Sequence, residues 1–121
     1  MYPFLIETHT SITELMAEKF PDTLILPAFG NNDNEYHDNP IPEQDAPFFY
    51  ETMFDLWFTR LGGNKAKMTN AQRDKIKETF LTGGYYRFDL SEKVTVLCLN
   101  SMYFDHSRNV AEFKTSPIGS N

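Results

Sequence analysis

The residues best equipped for chemistry are those of the turn Gly30-Asn31-Asn32-Asp33, which follows directly on the apolar run Leu24-Ile25-Leu26-Pro27-Ala28-Phe29. In an open α/β sheet, ligands collect beyond the carboxyl ends of strands. A glycine turn crowded with oxygen donors at such an end suits a cation or a phosphate. Asn31 can offer its amide oxygen to a metal, with Asp and His ligands coming from other segments. In two-metal phosphoesterase sites the metals polarise phosphoryl oxygens and generate a bound hydroxide for in-line attack.

Other chemistries find no support. Gly-x-Ser-x-Gly, Gly-x-x-x-x-Gly-Lys and Gly-x-Gly-x-x-Gly are all absent, so neither an acyl-enzyme elbow nor a glycine cradle for nucleotides is encoded. A calcium loop opening at Asp33 would put Asp38 where the sharp turn needs glycine, and Gln44 where a bidentate glutamate is required. The single cysteine, Cys98, lies in the apolar run Val94-Thr95-Val96-Leu97-Cys98-Leu99 and reads as a small core residue.

The elements that would position the turn can be read from local patterns. Ser11-Ile12-Thr13-Glu14 has the spacing of a capping box, and Ile12, Leu15, Met16 and Phe20 recur on one face, so a helix is expected over about 11–20, stopped by Pro21. Thr23 to Ala28 reads as a short strand covered on both faces. From Gly30 to Ala46 the chain is polar, with five carboxylates and no Lys or Arg. A loop of that length is uncommon unless it binds something or is disordered.

Pro47 to Leu61 carries Phe48, Phe49, Met53, Phe54, Trp57, Phe58 and Leu61 at helical spacing. The stripe reads as a packing face, with lipid contact as the alternative. Gly62-Gly63-Asn64 breaks the chain, and Thr69-Asn70-Ala71-Gln72 opens a second capped helix to about Leu81, ended by Gly83. Lys65, Lys67, Arg73, Lys75 and Lys77 read as its solvated face. Tyr85 to Leu90 is expected as a half-exposed strand and Lys93 to Leu99 as the most buried one, the two forming an antiparallel hairpin.

With 121 residues, 40% of them hydrophobic and 15% aromatic, one globular core is affordable. A formal charge of −6 and a pI of about 4.9 supply no basic footprint for nucleic acid or an anionic membrane. No run is long and apolar enough for a membrane span, and the N-terminus lacks the pattern of a signal peptide.

Several blocks together resemble the calcineurin-like metallophosphoesterases, in the acid-sphingomyelinase-like or endopolyphosphatase-like branch. They are Phe20-Pro21-Asp22-Thr23 leading to Leu26-Pro27-Ala28-Phe29-Gly30-Asn31, the Tyr50 to Trp57 helix, Phe80-Leu81-Thr82-Gly83-Gly84-Tyr85-Tyr86, and Val96-Leu97-Cys98-Leu99-Asn100-Ser101-Met102-Tyr103. The resemblance covers about 11–109, and 110–121 is expected as loop or disordered chain. It implies an α/β fold, as part of an α/β/β/α sandwich, and hydrolysis of phosphodiester or phosphoanhydride bonds at a centre of two divalent metal ions.

Under that resemblance Asn31 is a metal ligand. The family's next position is a histidine, where this chain has Asn32, which donates a hydrogen bond but transfers no proton. His37 is the substitute the loop offers, and its removal is expected to cost more than removal of His9. The family's Asp-x-His, Gly-Asp and later histidine motifs are not among these residues. The chain is therefore expected to be a fragment, inactive alone. The alternative is a binding module self-associating through an aromatic helix over 47–61 that would lack partners in its own chain. Relatives are secreted, lysosomal or vacuolar, and the chain itself carries no localisation signal.

Overall fold

The computed structural model describes residues 3–30, 33 and 41–104. In chain order these hold α1 (Pro3–Lys19), α2 (Ala46–Phe54) continuing into a π-helical turn (Asp55–Arg60), α3 (Asn64–Lys67), α4 (Asn70–Gly83), β1 (Tyr86–Asp89), β2 (Thr95–Cys98) and a 3-10 turn (Ser101–Phe104). Among the described residues the sheet has two strands, paired antiparallel with Tyr86 opposite Cys98 and Asp89 opposite Thr95.

The expected helix over 11–20 is the second half of α1, which opens eight residues earlier at Pro3, a residue suited to a first helical turn because it lacks the amide hydrogen that would go unpaired there. Ser11 and Glu14 are therefore mid-helix residues and no cap. The inward face also differs from the expected one. Thr13 is buried and Leu5 and Met16 pack against the core, whereas Ile12, Leu15 and Phe20 are exposed. The recurrence that faces the core is 5, 9, 13, 16, and it is legible only when the helix is allowed to start early.

The aromatic stripe of 47–61 finds its partners inside the chain. Phe49, Tyr50, Met53, Leu56, Trp57, Phe58 and Leu61 are buried, and Phe48 alone among the stripe's aromatic rings is exposed. The expectation of an unpartnered aromatic helix is corrected: α4 lies along α2 and brings Phe80 into the middle of the cluster. Phe80 packs against Phe29, Tyr50, Phe54, Trp57, Phe58 and Tyr86, with ring centroids 5.0 to 6.2 Å away. Offset and edge-on ring contacts of this kind add to what area burial contributes.

α4 starts as its sequence predicts. The Thr69 hydroxyl accepts from the Gln72 amide at 3.2 Å, and the Gln72 side chain accepts from the Thr69 amide at 2.8 Å, closing the capping box. It runs to Gly83, two residues past the expected end, and the terminating glycine is Gly84, in the left-handed region at φ +70° and donating to the Phe80 carbonyl at 2.8 Å. A side chain at Gly84 would meet the Phe29 ring at 2.7 Å. Arg73 departs from the solvated face assigned to it. Its guanidinium donates to the carbonyls of Phe58 at 2.8 Å, Asn64 at 2.8 Å and Lys65 at 2.9 Å, and so ties α4 to the turn before it.

The hairpin is as expected in pairing but not in burial. Tyr86, Phe88 and Cys98 face inward, while Leu97 on β2 and Leu99 just beyond its end are 65% and 69% exposed. Among the described residues no strand pairs with the far edge of β2, where Cys98 faces the core and Leu97 faces outward, so the strand expected to be the most buried is the less covered of the two. The outer face of β1 is polar: Asp89 is bound by Thr95 at 2.7 Å, Arg87 at 2.9 Å and Lys75 at 3.2 Å. These partners, with the Thr95 hydroxyl foremost, hold the Asp89 carboxyl down to about 2.

Candidate functional site

The run 23–30 that leads into the Gly-Asn turn is extended, but among the described residues no strand pairs with it. Its backbone is satisfied by side chains and by a glycine turn. The Asn64 amide oxygen accepts from the Ile25 N–H at 2.8 Å, and its nitrogen donates to the Ile25 carbonyl at 2.7 Å and to the Trp57 carbonyl at 2.6 Å. One side chain thus reproduces both bonds of a ladder rung, and Asn64 is fully buried in doing so. Gly63 donates to the Thr23 carbonyl at 2.7 Å, an approach so close that a Cβ on Gly63 would meet the Pro21 carbonyl oxygen and the Thr23 nitrogen at 2.7 Å.

Further along the run, the Tyr86 hydroxyl donates to the Pro27 carbonyl at 2.6 Å. Burial pushes the Tyr86 phenol well above its ordinary value, and Cys98 beside it adds to the shift, so Tyr86 stays protonated as the donor. Phe29 then enters the aromatic cluster, 4.5 Å from the Trp57 ring and 5.5 Å from Phe49. The segment is therefore pinned at Thr23, Ile25, Pro27 and Phe29, each by a different element.

Immediately after Phe29, the chain turns between Gly30 and Asp33. The Asp33 carboxylate accepts from the Gly30 N–H at 2.5 Å, and the Asp33 N–H donates to the Gly30 carbonyl at 3.3 Å. This reciprocal pair closes a four-residue turn whose central positions in sequence are 31 and 32. Asn31, Asn32 and His37, the residues singled out from the sequence, lie outside the described residues. His9 of α1 meets the turn: its Nε2 is 3.3 Å from the Asp33 carbonyl oxygen and 3.9 Å from Asp33 Oδ1, and its ring stands edge-on to Trp57 at 6.3 Å. His9 is thus no neutral comparator for His37. Sequence reasoning missed it because the helix was started at Ser11, two residues too late to include it.

Among the described residues, no group of three or more His, Cys, Asp and Glu is placed to hold a metal ion. Asp33 gives one carboxylate oxygen to Gly30, so the described donors alone do not make a two-metal ligand set. A groove of about 420 Å³ lies between α1 and α2, lined by residues that include Ile6, Thr10, Phe48, Asp55 and Arg60. Arg60 bridges to Glu14 and Asp55 at 3.6 Å each, exposed pairs that contribute little to stability. Among the described residues no helix is long and apolar enough to cross a membrane.

Compared with known proteins, the chain is similar to a phosphodiesterase. The relative is the sphingomyelinase phosphodiesterase C of Dictyostelium discoideum, 27% identical over 115 residues. The match takes in 95% of this chain and 23% of the relative, so the chain spans under a quarter of the protein it matches. No family model matches the chain, and no solved structure does.

Proposed function

We infer that the chain is a segment of a metal-dependent phosphoesterase hydrolysing phosphodiester or phosphoanhydride bonds. Its Gly-Asn turn supplies Asn31 as one donor to a two-metal centre, and the remaining ligands come from elsewhere in a longer chain. Asn32 is then a hydrogen-bond donor to the phosphoryl group and His37 the group that moves a proton. The described helices and hairpin are part of an α/β/β/α sandwich, and the segment alone is inactive. The observation that carries this reading is the likeness to the Dictyostelium phosphodiesterase, which runs through 95% of the chain. The pinning of 23–30 supports it, since a ligand-bearing turn needs fixed ends.

A segment exchange tests it: the matched 115 residues of the Dictyostelium protein are replaced by this chain, and phosphodiester hydrolysis is measured with and without Asn31→Ala. A folded chimera is expected to hydrolyse, and Asn31→Ala to remove most of that activity. A folded chimera indifferent to Asn31→Ala contradicts the assignment.

The second reading, a self-associating module, is favoured by one observation. Leu97 on β2 and Leu99 just after it are exposed apolar side chains at what is, among the described residues, an edge of the sheet, and such edges pair with other strands. This moves the contact from the helix over 47–61 to β2. Sedimentation of the purified chain checks it: a monomer at high concentration removes this reading.

A further inference from the structure

We propose that His9 is a positioning residue for the Gly30–Asp33 turn, holding its distal end onto α1. The inference rests on the reading of that turn as the functional site.

The two ends of the turn are fixed by one wall. On the near side Phe29, directly before Gly30, lies 4.5 Å from Trp57. On the far side Asp33 meets His9, whose ring stands edge-on to the same Trp57. Asp33 closes the circuit by binding Gly30 through both its amide and its carboxylate. Trp57, Phe29, Gly30, Asp33 and His9 thus form a closed ring of contacts in which His9, among the described residues, links the turn's far end to the helical core. The His9 side chain is 12% exposed, so its imidazole is set by packing and not by solvent. A bond to the Asp33 carbonyl oxygen, which can only accept, requires the hydrogen on Nε2. Without that bond the turn stays anchored at Phe29 but Asp33 loses its hold on α1.

Amide hydrogen exchange of the full chain tests this, comparing wild type, His9→Ala and His9→Gln. In His9→Ala, exchange at Gly30 is expected to rise about tenfold, the scale of one lost hydrogen bond, while the core amides of Phe58 and Ile76 keep their rates. His9→Gln, which keeps an N–H donor, should recover most of the protection. An unchanged Gly30 rate, or an equal rise at Gly30 and Ile76, overturns the proposal, the second because it marks a general loss of stability. The ring nitrogens of His9 in the wild-type chain give a check that needs no variant: the neutral form should carry its hydrogen on Nε2, and the opposite tautomer also overturns it. Neither readout involves metal or substrate, so a failure of the segment exchange removes the site reading and leaves these results to be judged separately.

Discussion

The side chain of Asn64 occupies the place of a neighbouring strand for Ile25, accepting from its N–H and donating to its carbonyl. Replacing Asn64 by Ala leaves the Ile25 amide and the Ile25 and Trp57 carbonyls without these partners. The expected loss is about 3 kcal/mol, since each buried polar group left unpaired costs on the order of 1–3 kcal/mol and the site can relax in part. Urea unfolding of the variant checks it, and a loss below 1 kcal/mol would mean the run 23–30 is held mainly by its apolar contacts.

Tyr86→Phe isolates a single bond, that to the Pro27 carbonyl. The ring remains in the core, so the expected cost is about 1 kcal/mol. Because burial raises the Tyr86 phenol, the folded wild-type chain should gain no more phenolate absorbance than Tyr86→Phe over the pH range where free tyrosine titrates. A larger gain in the wild-type chain than in Tyr86→Phe would contradict the buried hydrogen bond.

Phe80→Ala empties the centre of the aromatic cluster, where the side chain is fully buried. Loss of a buried phenylalanine costs about 3–5 kcal/mol, comparable with the whole stability of a small domain. The variant is expected to show a greatly lowered thermal midpoint or no cooperative transition in calorimetry.

The Asp89 carboxyl, ordinarily near 3.8, is held down to about 2. Its folded value lies below its unfolded one, so its contribution is complete above about pH 4 and is lost as pH falls toward 2. Asp89→Asn should therefore lower stability modestly at neutral pH, where that contribution is present, and flatten the acid limb, with variant and wild type converging as pH approaches 2. Titration of the Asp89 carboxyl by NMR in the folded chain measures the shift directly.

Local signals were legible where they act alone. The Thr69–Gln72 capping box needs four residues and no tertiary partner, and it forms as read. The antiparallel pairing of the hairpin follows from two short strands and a tight connection. The burial of Trp57 and Cys98 follows from their apolar surroundings. Long-range substitution was not legible. Nothing in Leu24-Ile25-Leu26 distinguishes a strand in a ladder from an extended run satisfied by Asn64, which lies 39 residues away. Periodicity likewise marks apolar faces without saying which is covered, so Leu97 and Leu99 were expected inside. In the site, the turn and Asp33 were visible as residue types, but His9 became relevant only through its 24-residue reach to Asp33.

The proposed function makes this chain one segment of a longer phosphoesterase. The native transcript, sequenced across both ends of the reading frame, tests it most directly. In-frame Asp-x-His and Gly-Asp motifs are expected upstream and histidine motifs downstream, the ligands that would join Asn31. A frame that opens at Met1 and stops after Asn121 would contradict it.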